Sequence, residues 1–105
     1  MDCIFCKIVK KEIPSSFIFE NENLCAFKDI NPKAPIHILI IPKEHLDSVN
    51  NLDENKKDLA GEMILAAKKI AKDCNISDGY KLLFNVGKKG GQIVEHLHLH
   101  LMGGW

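Results

Sequence analysis

The segment His96-Leu97-His98-Leu99-His100-Leu101 alternates imidazole and leucine without interruption. In an extended strand successive side chains switch faces, so this pattern predicts a strand with the leucines buried on one side and all three imidazoles projecting from the other. Neighbouring histidines would then stand about 6.5–7 Å apart along the strand, close enough to converge on one ligand yet far enough apart to divide its chemistry among them. Two readings follow. Three imidazoles with an open fourth position are a set that can hold a zinc-bound water. Alternatively, Gly90, Gly91 and Gln92 lead directly into the strand; glycines permit positive φ and close approach, so this loop can aim backbone N–H groups at an anion beside the imidazoles, and a phosphate fits.

Bulk properties narrow the ligand. The chain has 105 residues, 46% of them hydrophobic, which suits one compact unit with an adequate core. Fourteen basic and fourteen acidic side chains cancel, and no run of like charge is long enough to serve as a nucleic-acid or membrane footprint. An anionic ligand must therefore be small and locally held. Met1 to Lys11 carries no long apolar stretch, and the longest aliphatic run, Ile38 to Ile41, is far too short to cross a bilayer. A soluble, cytoplasmic protein is expected, with no nucleic-acid or membrane partner. In a reducing cytosol its four cysteines read as thiols or metal ligands rather than disulfides, and only Cys3 and Cys6 form a spaced pair.

The remaining elements can be read in order. Ile4, Phe5, Ile8 and Val9 recur at helical spacing before Pro14, predicting a short amphipathic helix with Cys3 and Cys6 at one end, followed by a strand near Ser16 to Glu20. Asn21 to Asn23 reads as a turn into a second strand, Leu24 to Lys28, with Asp29 just past its end. The run Ile36 to Ile41, closed by Pro42, reads as a third strand with His37 near its start. From Asp53, a plausible N-cap, the series Leu59, Met63, Ile64, Ala67, Ile70, Ala71 and Cys74 keeps helical period until Asn75. Leu82 to Val86 and Val94 to Met102 complete five strands, joined by the loop Gly87 to Gly91. The fold class is α+β: a five-stranded antiparallel sheet with one long and one short helix, expected against one of its faces.

The run Gly90-Gly91-Gln92-Ile93-Val94-Glu95-His96-Leu97-His98-Leu99-His100-Leu101-Met102-Gly103-Gly104 resembles the signature of the histidine triad family. Cys3-Ile4-Phe5-Cys6-Lys7-Ile8, Ala26-Phe27-Lys28-Asp29-Ile30-Asn31-Pro32, Ala34-Pro35-Ile36-His37 and Ile41-Pro42-Lys43-Glu44-His45 are similar to that family in order and spacing. The resemblance covers essentially the full chain and implies a single histidine triad domain over residues 1–105. It is closest to the branch of purine nucleoside phosphoramidases and nucleotide hydrolases with a zinc-binding CxxC amino terminus.

What the resemblance implies is a homodimer with sheets joined across the interface and a purine nucleotide bound near each histidine strand. His98 would be the nucleophile that attacks the α-phosphorus to give a nucleotidyl-histidine, His100 would assist the leaving group, and His37 would support the histidine network. Asp29 would bind the ribose, and Ile4, Phe5, Ile8, Phe27 and Ile30 would surround the base. Asn85, Gly91, Gln92, Val94 and His100 would contact the phosphate and leaving group. Cys3, Cys6, His45 and His96 would bind a structural zinc, a closed set with no position for substrate or water. Ile93 departs from relatives that carry serine there, and removes one hydroxyl contact to phosphate. The sequence ends Gly103-Gly104-Trp105, where many relatives have an arginine in place of the tryptophan; Trp105 would pack over the partner's site or stand in solvent. The alternative to an enzyme is a nucleotide-binding regulatory or scaffold protein with vestigial catalysis.

Overall fold

The continuous apolar runs at residues 24–27 and 38–42 have no polar alternation to offer solvent, and such strands are stable only where both faces are covered. In the computed structural model, which describes residues 3–105, they are β2 (Leu24–Lys28) and β3 (Ile36–Pro42) near the middle of the sheet. Met1 and Asp2, the start of the amino-terminal stretch, lie outside the described residues. The other strands are β1 (Phe19–Glu20), β4 (Tyr80–Leu83) and β5 (Leu99–Gly103), and the order is β1-β2-β3-β5-β4 with every pair antiparallel.

The long helix, α2 (Lys57–Asp73), packs Met63, Ala67 and Ile70 onto Leu24, Ala26, Ile38 and Ile40. The short helix, α1 (Ile4–Val9), packs Phe5 and Ile8 onto Cys25, Phe27, Leu39 and Ile41. Odd and even residues of β2 and β3 thus serve different helices, so the two helices cover opposite faces, contrary to the expectation of one shared face. Leu97, Leu99 and Leu101 all enter the α2 side of the core, as their alternation with histidine predicts.

Several boundaries move for identifiable reasons. Asp53 accepts from the Asn55 N–H and caps a 3-10 turn, Glu54–Lys56, which then runs into α2. Asn75, at φ 60°, ends the segment in the left-handed region that asparagine tolerates. β1 is shorter than residues 16–20, while Asn21 Oδ1 accepts from the N–H groups of Asn23 and Leu24 and makes the expected turn. β4 ends at Leu83, ahead of Gly87, whose φ is 73°. β5 begins only at Leu99 because Leu97 N–H donates to the Leu46 carbonyl and His96 N–H to that of Val94. Only His100 of the three histidines is therefore inside the ladder. Among the described residues, no helix is long and apolar enough to cross a membrane.

Candidate active site and metal centre

The bend before β5 gives His96 a different task from its two successors. Its Nδ1 lies 3.3 Å from Cys3 Sγ, 3.6 Å from Cys6 Sγ and 3.2 Å from His45 Nδ1, and Cys6 Sγ lies 3.2 Å from His45 Nδ1. The four ligand atoms are all within 4.8 Å of one another. A tetrahedral ion with bonds of about 2.0–2.1 Å to nitrogen and about 2.3 Å to sulfur sets N–N edges near 3.3 Å and S–N edges near 3.6 Å, roughly the spacing present here.

Hydrogen bonding also fits a cation. His96 Nε2–H donates to the Pro42 carbonyl and His45 Nε2–H to Asp47 Oδ1, each at 2.8 Å. Both Nδ1 lone pairs then face inward, opposed at 3.2 Å, an arrangement that a shared metal ion stabilises. Burial pushes the Cys6 thiol up, and the neighbouring Cys3 adds to this, so a thiolate pair here calls for a positive charge. Cys3 further accepts from the Cys6 N–H at 3.4 Å as the N-cap of α1.

His98 and His100 stand apart from this set, so the three histidines do not converge on one metal as a three-imidazole water site would require. His98 Nδ1–H donates to the His96 carbonyl at 2.7 Å, which leaves Nε2 with its lone pair. The Lys33 N–H donates to His37 Nδ1 at 3.0 Å, placing the proton of neutral His37 on Nε2. His37 Nε2–H faces His100 Nδ1, the two nitrogens 2.8 Å apart, and Asp29 Oδ2 lies 3.4 Å from His37 Nε2. His100 accepts through Nδ1 and so carries its own hydrogen on Nε2, 3.4 Å from Asn85 Nδ2; that amide accepts the hydrogen only when turned to present Oδ1, which frees its NH2 towards the cleft. The rings of His98 and His100 are 4.9 Å apart. An unprotonated nitrogen and an N–H donor thus stand side by side. Burial, reinforced by the neighbouring His98 and His37, lowers His100 from 6.5 to about 4, and burial lowers His37 as well.

These groups open onto a cleft of about 650 Å³ that Asp29, His37, Asn85, Gly91, Val94, His98 and His100 help to line. Phe5, Ile8 and Phe27 are buried beneath it rather than in its wall. Ile30 is 88% exposed, and Ile4 opens onto a neighbouring cleft over the cysteine-histidine set. Gln92 is also outside the lining: its Oε1 accepts from Gly87 N–H, and its Nε2 donates to the Asp47 and Val94 carbonyls. The loop corrects one expectation. The N–H groups of Gly90, Gly91 and Gln92 donate to carbonyls of Gly87 and Lys88 within the turn, so they do not face an anion. The next two amides, Ile93 and Val94, form no hydrogen bond among the described residues, and both residues line the cleft.

Lys33, Leu39, Leu83 and Met102 also line the cleft without having been singled out from the sequence. Leu39 and Met102 lie two residues beyond His37 and His100, so strand alternation could have found them. Lys33 acts on His37 through its backbone, which leaves no mark in residue type.

Residues 2–104 match the family described as "Scavenger mRNA decapping enzyme C-term binding". Protein HitA of Neisseria gonorrhoeae is 50% identical over 97% of this chain and 95% of its own. The chain belongs to the histidine triad family. A 14 kDa zinc-binding protein of Zea mays is 47% identical over 96% of this chain and 80% of its own. A histidine triad family hydrolase from Legionella pneumophila Philadelphia 1 superposes with a TM-score of 0.96 at 47% identity, covering 99% of this chain and 94% of the other.

The lowered His37 and His100 values set a pH dependence with a definite sign. The unfolded chain takes up protons near pH 6.5 while the folded site resists them, so folding stability falls as pH drops from about 6.5 towards 4. Urea unfolding across this range should show that decline, and His100→Gln should flatten it. An unchanged slope in the variant would refute the assignment to His100.

Proposed function

We propose that this chain is a nucleoside 5'-phosphate hydrolase or transferase, acting on purine nucleoside phosphoramidates, aminoacyl adenylates or dinucleoside polyphosphates through a covalent nucleotidyl-histidine. The observation that carries this reading is the fixed tautomer of His98, which leaves Nε2 unprotonated beside the Nε2–H of His100. Family membership and resemblance to a solved hydrolase support it.

His98 Nε2 attacks phosphorus, and the bond from phosphorus to the leaving group breaks as His100 gives that group a proton. His37, oriented by Lys33 and Asp29, holds His100 in the donating tautomer. Water then attacks the phosphorus of the nucleotidyl-histidine and gives one proton back to His100, and the bond from phosphorus to nitrogen breaks, releasing the nucleoside monophosphate and restoring His98 Nε2. The Ile93 and Val94 amides and Asn85 stabilise charge on the phosphoryl oxygens. Gly91 lets the loop close on the phosphate, and Gln92 holds that loop in shape. Asp29 binds the ribose hydroxyls. The base rests against Val94 and Leu39, backed from below by Phe5, Phe27 and Ile8, with Ile4 and Ile30 at the outer rim.

Rapid quenching with labelled adenosine 5'-phosphoramidate and peptide mapping should place the label on His98. His98→Ala should lose the adduct and about a thousandfold in kcat while still binding AMP, and label on His100 instead would refute the assignment.

Cys3, Cys6, His45 and His96 hold a structural zinc in this reading, since a closed set of two thiolates and two imidazoles suits that ion and leaves no site for water. Bound there, zinc would tie α1 to the sheet. Protein purified without added metal should contain about one zinc per chain, and Cys3→Ser should lower Tm by more than about 5 °C. Absence of zinc together with an unchanged Tm would dismiss the site.

The protein also pairs with a second copy. β4 is an outer strand with Leu82 and Leu83 exposed, and α2 exposes Ile64 and Leu65, so edge pairing would cover an open ladder and apolar surface together. Light scattering at micromolar concentration should give twice the chain mass; a monomer would exclude this assembly.

A further inference from the structure

Phe5 sits between the two thiols of the cysteine-histidine set, two residues after Cys3 and one before Cys6. Its ring centroid lies 5.2 Å from that of His98 with the planes at 88°, and 5.8 Å from that of His96 at 74°. The side chain is buried and is not part of the cleft wall. On its other side it meets Phe27, 5.6 Å away.

Among the described residues the His98 ring has one hydrogen bond, from Nδ1–H to the His96 carbonyl. A single hydrogen bond selects the tautomer but still allows the ring to swing about the bond axis. Phe5 and His100 flank the ring, both at steep angles, and together with the hydrogen bond they define its plane. The position of Phe5 depends in turn on α1, which has only six residues. So short a helix has little stability of its own and takes its place from the contacts it makes. Ligation of Cys3 and Cys6 would clamp the turn that carries Phe5, while ligation of His96 would fix the carbonyl that selects the His98 tautomer.

We propose that Phe5 is a positioning residue that couples the metal centre to the nucleophile, its ring holding the His98 imidazole at the angle from which Nε2 attacks. This rests on the proposed roles of His98 and of the zinc set. It assigns Phe5 a duty in aiming the attacking atom, distinct from contact with the nucleotide. Without the metal, α1 and the His96 bend lose their common anchor, and the His98 ring samples other orientations while the cleft that holds the nucleotide persists.

The test uses the full chain loaded with zinc, comparing wild type with Phe5→Leu, and with Phe5→Met should the leucine variant fail to fold. The first readout is the imidazole nitrogen spectrum of His98 at fixed pH without nucleotide. Wild type should show one sharp Nδ1–H form, and the Phe5 variant and chelator-treated wild type should show broadened or mixed signals. The second readout pairs turnover with binding: kcat on adenosine 5'-phosphoramidate should fall about tenfold while Kd for AMP stays within about twofold. Val9→Ala, which loosens the same helix away from His98, should keep both values. An unchanged His98 spectrum and kcat in the Phe5 variant would overturn the proposal, as would a loss of AMP affinity equal to the loss in kcat, which would make Phe5 a base contact. An equal loss in Val9→Ala would reduce the effect to general packing. Wild type that contains no zinc, or that carries label elsewhere than on His98, would instead refute the underlying reading.

Discussion

The antiparallel pairing of β3 with β5, in the register that sets Leu39 opposite His100 and His37 opposite Met102, is the constraint on which the site depends. It brings His37 and His100 to one face and lets their nitrogens meet at 2.8 Å, although 63 positions separate them. A slip of one residue would turn His100 into the α2 side of the core and Leu99 or Leu101 into the cleft. The leucines are what prevent it. Leu97, Leu99 and Leu101 are nearly inaccessible in the larger core, so the hydrophobic penalty for a slipped register protects the chemistry on the opposite face.

Neutrality is the second theme of the cleft. Burial holds His37 and His100 below the ordinary histidine range, and neutral imidazoles can divide the tasks of lone-pair donor and proton donor in a way that imidazolium cannot. The backbone sets the tautomers of His37, through Lys33 N–H, and of His98, through the His96 carbonyl, and the His37 ring sets that of His100. In the proposed mechanism anion recognition falls to the amides of Ile93 and Val94, which have no partner among the described residues. Backbone donors do not depend on residue type, so the isoleucine side chain at position 93 does not remove them.

The cysteine-histidine set and the histidine relay share the segment that leads into β5. His96 contributes a ring to the first and a carbonyl to the second, and Phe5 lies against both His96 and His98. In the proposed mechanism, a metal set and a reacting histidine built on one bend cannot be mechanically independent. At the other end of the strand, Gly103 shows how closely β5 is held: a Cβ there would meet Ile76 Cδ1 at 2.7 Å and Tyr80 Cβ at 3.3 Å.

The sequence by itself determined the fold class, the five strands and two helices, and which side of β5 the leucines and histidines would occupy, because strand and helix periodicity are local properties of side-chain direction. Its motifs also pointed to the family, and through it to the four residues that the structure brings together as a metal-ligand set. Tertiary structure alone decided that α1 and α2 cover opposite faces, since continuous apolar strands such as β2 and β3 are compatible with cover on either side. It also decided that β5 starts at Leu99, that the loop amides left without a partner among the described residues are those of Ile93 and Val94, and that Lys33 orients His37. Each of these turns on where a backbone N–H or carbonyl finds its partner, and because every residue but proline carries both groups, the identity of the residues does not record the choice.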